Sequence, residues 1–186
     1  GQDKVIFGTD FPVLDFKSLY PSCMISENLS HDTLVIDEKY DNLPGREYKS
    51  IKYTYKEKEY TDRFVKPLDN TVDNRGVVPQ ILIKLLGQRA AVRKAMKNET
   101  DPFKLKMMDG QQLAYKITAN SLYGQTGAKT SSLYMKEIAA STTATGRRLL
   151  HFARDHTLAN FPGAECVYGD TDSIFINFNP RNDDGR

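Results

Sequence analysis

Short runs rich in β-branched and aromatic residues predict strands at three places along the chain. The first is the start, "KVIFGTDFPVLDF", where two runs are broken by Gly8 and Pro12 and the second run ends at Asp15. The second is residues 33–66. Here "TLVIDEKY", "YKSIKYTY" and "TDRFVK" predict edge strands with one solvent-exposed face, and "DNLPG" predicts a turn. The third is "ECVYGDTDSIFINF", which predicts a β-hairpin turning near residues 169–170.

Apolar residues at helical spacing predict two long helices in the middle of the chain. The first helix begins near Pro79 and carries an apolar stripe on one face, formed by Ile81, Leu82, Leu85, Leu86 and Met96. The second begins at Pro102 with Asp101 as its N-cap, and Gly124 is the expected stop. The link between them is short, so the pair predicts an antiparallel helical hairpin.

Two further helices complete the outline. One is expected to start at Pro21 and Ser22, and the other covers residues 136–159. The latter carries four residues on one face, Ile138, Thr145, Leu149 and Phe152. The order is therefore sheet, helical hairpin, helix, sheet, and strands far apart in sequence must pair if one core is to form. This predicts an α+β layer with a helical insertion.

Composition excludes some classes of function. Of 186 residues, 39% are hydrophobic and 27% charged, which is typical of a globular protein and leaves no apolar run long enough for a membrane span. The net charge is only +2, so nucleic-acid binding must be argued from where the charges lie. No signal peptide is expected in the opening residues. Cys23 and Cys166 lack metal-ligand spacing, and two cysteines in a chain of this size indicate a reducing, intracellular compartment.

Three aspartates are candidate metal ligands. Asp15 follows an apolar run, and Asp170 and Asp172 stand two residues apart in the predicted hairpin. If the two strands are neighbours, the three carboxylates repel one another unless a cation such as Mg²⁺ binds them. Two such ions would clamp the attacking and leaving oxygens of an in-line displacement. The alternative is ordinary turn chemistry, in which Asp caps its own backbone.

The predicted helical hairpin is more basic than the rest of the chain. Residues 79–124 hold eight Lys and Arg residues against three Asp and Glu residues, a net charge of +5. Helical spacing places Arg89 and Arg93 on one face of the first helix. It places a second set of residues on one face of the other helix, namely Lys116, Asn120 and Tyr123. Such cations could neutralise a triphosphate. The alternatives are a solvated basic face, and core packing of Tyr123 before a helix stop at Gly124.

Three segments in this order resemble the polymerase motifs of family B DNA polymerases: "DFKSLYPS" at 15–22, "KITANSLYG" at 116–124 and "YGDTDS" at 168–173. The stretch "ETDPFKLKMMDGQQLAYKITANSLYGQTGA" is especially similar to the replicative enzymes of eukaryotes and of large DNA viruses. The resemblance implies a palm with an antiparallel sheet backed by helices and a two-helix fingers insertion. It divides the chain into a first palm part at 1–78, fingers at 79–124 and a second palm part at 125–186.

The resemblance also implies a role for each matching residue. Asp15 and Asp172 would be the main ligands of two Mg²⁺ ions, which Mn²⁺ can replace, helped by the Phe16 carbonyl, with Asp170 as an outer participant. Tyr20 would lie under the sugar and exclude a 2′-hydroxyl. Tyr20 would also help to hold the triphosphate, together with Ser18, Leu19, Arg89, Arg93 and Lys116. The remaining residues would pack around the nascent base pair with its nucleotide (Asn120, Tyr123, Gly124) or form the primer-side hairpin (Tyr168, Gly169, Thr171).

Several expectations about the wider protein follow from the same resemblance. The family also has an N-terminal domain, a 3′–5′ exonuclease and a thumb, so this segment is expected to be palm and fingers only and weak or inactive alone. The expected partners are primer-template DNA, dNTPs and, through regions outside this segment, a sliding clamp, with no membrane. The expected location is the nucleus, or a cytoplasmic factory if the source is a virus.

Three other interpretations are distinguishable. Another palm enzyme, a reverse transcriptase or an RNA polymerase, would carry a different hairpin sequence and would lack the "KxxxNSLYG" helix. An inactive polymerase relic serving as a nucleic-acid-binding scaffold would not need all three acids, which are intact here. A basic α+β binding domain would match three ordered motifs only by chance.

Overall fold

The computed structural model describes residues 12–178 and is of the predicted α+β class. Strand-forming residues before Pro12, including those around Gly8, lie outside the described part. In chain order the elements are β1 (Val13–Asp15), α1 (Leu19–Ser26), a short 3₁₀-helix (Glu38–Tyr40), β2 (Tyr48–Tyr55), β3 (Lys58–Val65), α2 (Val77–Met96), α3 (Pro102–Gly127), α4 (Lys136–Asn160), β4 (Glu165–Asp170) and β5 (Ser173–Asn177).

The described chain forms two compact units. One contains the residues up to Lys17 and those from Gly146 onward, and the other contains Ser18–Thr145. The domain boundaries at 78 and 124 stay a prediction. No helix among residues 12–178 is both long and apolar enough to span a membrane.

A three-stranded antiparallel sheet organises the first unit. Its order is β1-β5-β4, so strands from opposite ends of the sequence pair, as predicted. Ile174 and Ile176 of the central strand are almost wholly buried on one face. Beyond the sheet, Phe161 at the end of α4 meets Phe178 edge to face, with ring centroids 5.0 Å apart. This contact ties the C-terminal half of α4 to the end of β5.

The second sheet, in the second unit, contains only β2 and β3, paired from Tyr48↔Val65 to Tyr55↔Lys58. The expected strand over "TLVIDEKY" is wrong: only Leu34 makes an isolated bridge, to Phe64. The segment instead turns into the 3₁₀-helix, because the Asp37 carboxylate accepts a hydrogen bond from the Lys39 backbone N–H. A side chain that bonds its own backbone competes with strand pairing. The predicted turn over "DNLPG" is present.

The helical hairpin forms as predicted, with different ends. Asp101 caps α3 by accepting a hydrogen bond from the Phe103 N–H, and Pro102 occupies its first turn. The helix does not stop at Gly124 but continues to Gly127. Thr126 is buried and its hydroxyl donates to the Tyr123 carbonyl, so another turn of helix remains favourable. A glycine inside a helix costs only about 1 kcal/mol, which this burial offsets.

Helix α1 begins at Leu19, two residues before the expected start at Pro21. Ser18 precedes it in the left-handed conformation, with φ of 54°. Pro21 is accommodated because an N–H in the first helical turn has no intrahelical partner in any case. Helix α4 matches its prediction closely, although only part of the proposed face is buried. Ile138 and Thr145 are buried, whereas Phe152 is 66% exposed.

The core of the second unit joins the helices to the small sheet. It contains Met24, Leu29, Ile51, Phe64, Val78, Leu82, Ala119 and Ile138. Beside it, the buried Asn28 side chain donates to the Val65 carbonyl and accepts from the Gly76 N–H, both at 2.8 Å. A Cβ on Gly76 would lie 2.7 Å from side-chain atoms of Ser30 and Thr33, so no larger residue fits there. The start of α2 is therefore packed directly against the segment that follows α1.

Candidate active site

Asp15 and Asp170 lie on either side of the same residue in the first unit. Asp15, at the end of β1, pairs with Ser173 of the central strand, and Asp170, at the end of β4, pairs with the same Ser173. Directly opposed residues project from the same face of a sheet. Two carboxylates that are 155 positions apart in the sequence therefore lie in one row of the sheet, as the sequence suggested.

Asp172 occupies the connection between β4 and β5. The predicted hairpin is present, but its turn is at Thr171 and Asp172, slightly later than expected. Thr171 has φ of 37°, an unusual value for a β-branched residue, and its hydroxyl donates to the Asp170 carboxylate at 3.0 Å. The Phe16 N–H donates to the Asp172 carbonyl at 2.8 Å. This bond joins the backbone of "DFKSLYPS" to that of "YGDTDS".

The predicted metal ligands are of the chemical type that a hard divalent cation prefers. The predicted ligands are the carboxylates of Asp15 and Asp172 and the carbonyl of Phe16, all oxygen donors of the kind that Mg²⁺ takes. Among residues 12–178, no three His, Cys, Asp or Glu side chains are gathered closely enough to hold a metal ion. Two carboxylates and one backbone oxygen would leave coordination positions for water and substrate oxygens.

Two exposed residues of β4, Tyr168 and Gly169, lie next to these acids in the hairpin. Tyr168 is 57% exposed and meets Phe175 edge to face, with ring centroids 5.7 Å apart. Gly169 pairs with Ile174 in the row beside the acids. An aromatic ring and a residue without a side chain thus border the carboxylate row.

In the second unit, the start of α1 meets the end of α3. The rings of Tyr20 and Tyr123 have centroids 4.4 Å apart and planes inclined by 31°. Burial raises the pKa of the Tyr123 hydroxyl, and the neighbouring Tyr20 raises it further. Ser18, the residue before α1, makes no side-chain capping hydrogen bond. The N-terminus of a helix favours anionic groups.

The cationic candidates lie on the helical hairpin of the same unit. Arg89 is half-buried on the stripe of α2 that faces α3, and its Nε donates to Gln112 Oε1 at 3.1 Å. Arg93, Lys116, Asn120 and Gly124 are exposed. Gln112 lies outside the three motifs and is not among the residues predicted from the sequence. The available signal was its position one helical turn before Lys116.

A cavity of about 510 Å³ lies elsewhere in the second unit. Its lining includes His31, Tyr40, Arg46, Tyr48 and Arg75, and none of the predicted site residues. It is therefore separate from the residues that the motifs select.

Comparison with known proteins identifies the class to which this fold and these residues belong, the DNA polymerases. The structure is similar to the family B DNA polymerase of the hyperthermophilic archaeon Pyrobaculum calidifontis, with a TM-score of 0.70 and 34% identity over 91% of this chain and 20% of that one. The chain belongs to DNA polymerase family B, because the model of that family matches residues 3–185.

Relatives from viruses and from a cellular organism agree with this assignment. A DNA polymerase of Pyramimonas orientalis virus is 43% identical over 89% of this chain and 18% of its own length. The DNA polymerase delta catalytic subunit of Dictyostelium discoideum is 38% identical over 92% of this chain and 15% of its own length. The chain thus spans about a fifth or less of the length of these relatives.

Proposed function

We propose that this chain is the catalytic palm-and-fingers part of a DNA-directed DNA polymerase that acts in replication. The reaction is template-directed transfer of a dNMP from a dNTP to a primer. The primer 3′-hydroxyl loses its proton and bonds to the α-phosphorus, the bond from that phosphorus to the β-phosphate oxygen breaks, and pyrophosphate leaves. The observation that carries the proposal is the row of Asp15, Ser173 and Asp170, formed by two polymerase motifs in one sheet.

The first unit supplies the carboxylates. Asp15, Asp172 and the Phe16 carbonyl would hold two divalent ions, Mg²⁺ with Mn²⁺ as a substitute, which neutralise and align the reacting oxygens. Asp170 acts less directly, since its carboxylate already accepts a hydrogen bond from Thr171. Tyr168, Gly169 and Thr171 shape the primer side.

The second unit supplies the cations and the aromatic rings. Arg89, Arg93 and Lys116 neutralise the triphosphate, because guanidinium groups make bidentate phosphate contacts and an ammonium group adds a point charge. Further groups orient the nucleotide: Ser18 and Leu19 at the triphosphate, Asn120 and Gly124 at the nascent base pair, and Tyr20 with Tyr123 at the sugar and base. Catalysis by such a set is mainly alignment and charge neutralisation.

The partners in this proposal are primer-template DNA, dNTPs and a sliding clamp. The helical hairpin, with its net charge of +5, fits polyanionic substrates. The proposed location is the nucleus, or a cytoplasmic viral factory if the source is a virus, as for several of the relatives.

Primer extension by the complete gene product tests the proposal. A labelled primer on a template is incubated with one dNTP and Mg²⁺, and the product is compared with that of an Asp15→Asn variant. Addition of the templated nucleotide by the unsubstituted protein alone is the expected result. A folded complete protein that binds the primer-template but extends nothing would be a nucleic-acid-binding relic, and the proposal would fail.

A further inference from the structure

The side chain of Gln112 forms the contact between Arg89 and α3. Its Oε1 accepts a hydrogen bond from Arg89 Nε at 3.1 Å, and its Nε2 donates to Asp109 Oδ1 at 2.9 Å. Gln112 and Arg89 are both half-buried between the antiparallel helices. The two bonds therefore link a cation on α2 to a carboxylate on α3 through a neutral amide.

Chemistry fixes the orientation of this amide. A guanidinium has donors only, so the amide oxygen must face Arg89. An ionised carboxylate has acceptors only, so the amide nitrogen must face Asp109. A flipped amide would lose both hydrogen bonds, and Asp109 thus keeps the acceptor of Gln112 directed at Arg89.

The contact engages only one of the three nitrogens of the Arg89 guanidinium group. Nε is engaged, whereas the terminal nitrogens Nη1 and Nη2 make no hydrogen bond to any residue in the described range 12–178. These two nitrogens are suited to a bidentate contact with phosphate. A neutral acceptor also leaves the positive charge of Arg89 in place, whereas a carboxylate at position 112 would form an ion pair and compete with phosphate.

We infer that Gln112 is a positioning residue for the incoming nucleotide. It holds the Arg89 guanidinium by Nε so that both terminal nitrogens are directed to the triphosphate, and Asp109 fixes the orientation of the holding amide. Lys116 lies one helical turn further along α3, on the same side of the helix as Gln112. The inference rests on the triphosphate role proposed above for Arg89.

Steady-state kinetics of single-nucleotide addition by the complete gene product test the inference. The variants are Gln112→Met, which keeps the length and packing of the side chain without its hydrogen bonds, Arg89→Ala, and the double variant. Gln111→Met is the matched control, because Gln111 is exposed and contacts Tyr115 instead. A cooperative thermal unfolding transition is measured for each variant to check that it is folded.

We expect Gln112→Met to raise the KM for all four dNTPs by about 5- to 20-fold while kcat changes by less than about twofold. Because the triphosphate is common to the four substrates, the increase should not depend on the base. In the Arg89→Ala background the same substitution should have no further effect, and Gln111→Met should change neither parameter. A general packing defect would instead lower kcat or act additively with Arg89→Ala.

The outcomes separate this inference from the proposed function. If Arg89→Ala raises KM and Gln112→Met does not, or if their effects multiply, the positioning role is wrong and the polymerase assignment stands. If the unsubstituted protein extends no primer, the proposed function fails. In that case, equilibrium binding of inorganic tripolyphosphate to the same variants tests the positioning role of Gln112. Equal affinity of the unsubstituted protein and Gln112→Met would overturn that role.

Discussion

Tyr20 and Tyr123 lie ring to ring, with centroids 4.4 Å apart, although 103 positions separate them in the sequence. Tyr20 belongs to "SLYPS" at the start of α1, and Tyr123 belongs to "NSLYG" near the end of α3. An aromatic pair of this kind contributes about 0.5–1.5 kcal/mol beyond the area it buries. The ring that is proposed to select the sugar is therefore supported by the ring that is proposed to meet the base pair.

Replacing Tyr20 by alanine should weaken sugar selection. Without the ring there is room for a 2′-hydroxyl, so we expect the preference in kcat/KM for dNTP over rNTP to fall by about 100-fold or more. Tyr20→Phe, which keeps the ring, should retain the preference. Competition between labelled dNTP and rNTP in single-nucleotide extension measures both variants, and an unchanged preference in Tyr20→Ala would refute the assignment of Tyr20.

Replacing either Asp15 or Asp172 by asparagine should reduce primer extension by about 1000-fold or more. The reason is that several kcal/mol of charge stabilisation depend on these carboxylates in the proposed mechanism. Asp170→Asn should have a smaller effect, since Asp170 is assigned the outer role. Asp73→Asn, in an exposed loop of the second unit, is the control for loss of a negative charge. Equal losses in all three active-site variants would contradict this division of roles.

The motif residues could be predicted from sequence because their spacing is local. The "YGDTDS" hairpin and the helical spacing of Arg89 and Arg93 depend on a few neighbouring residues. The pairing of Asp15 with Ser173 was predicted only in outline, since its register depends on a strand 155 or more positions away. The contact between Gln112 and Arg89 could not be predicted, because it requires the relative rotation of two helices, which core packing sets and no short motif encodes.

Element ends were predicted less well for a related reason. A glycine at 124 and a proline at 21 are good local signals of a helix end and a helix start. They were outweighed by the burial of Thr126 and by the left-handed Ser18, respectively. In the same way, "TLVIDEKY" has the composition of a strand, but the Asp37 carboxylate bonds its own backbone and the segment turns.

The stability of the second unit should depend on pH through Asp62. Burial raises the pKa of this carboxyl, although hydrogen bonds from Tyr53 and Ser141 oppose the shift. The folded state then keeps the proton to higher pH than the unfolded state, so stability falls as pH rises from about 3.8 through the raised pKa.

Asp62→Asn should remove this fall, because the amide does not titrate. The quantity to compare is the unfolding temperature of Asp62→Asn minus that of the unsubstituted protein. We expect this difference to be more positive at pH 7 than at pH 3.5. Ser141→Ala, which removes one opposing hydrogen bond, should make the fall larger. A relative unfolding temperature that is constant across this range would refute the prediction.

The turn between β2 and β3 should be improved by substitution. Lys56 and Glu57 both have positive φ, 48° and 63°, in a two-residue hairpin connection that favours asparagine followed by glycine. The double substitution Lys56→Asn with Glu57→Gly should relieve this strain and stabilise the hairpin by about 1 kcal/mol. Urea unfolding measures the gain, and Thr61→Gly within β3 should instead destabilise the protein.

The hydrogen bonds of Asn28 have a practical consequence for producing this protein. Asn28, Leu29 and Ser30 form an acceptor triplet for N-linked glycosylation. Because the Asn28 amide nitrogen donates to Val65 inside the fold, a glycan attached during passage through a secretory pathway would occupy space that the start of α2 and the end of β3 require. A glycan on Asn28 is thus incompatible with this fold, and expression in a bacterial cytosol avoids the modification.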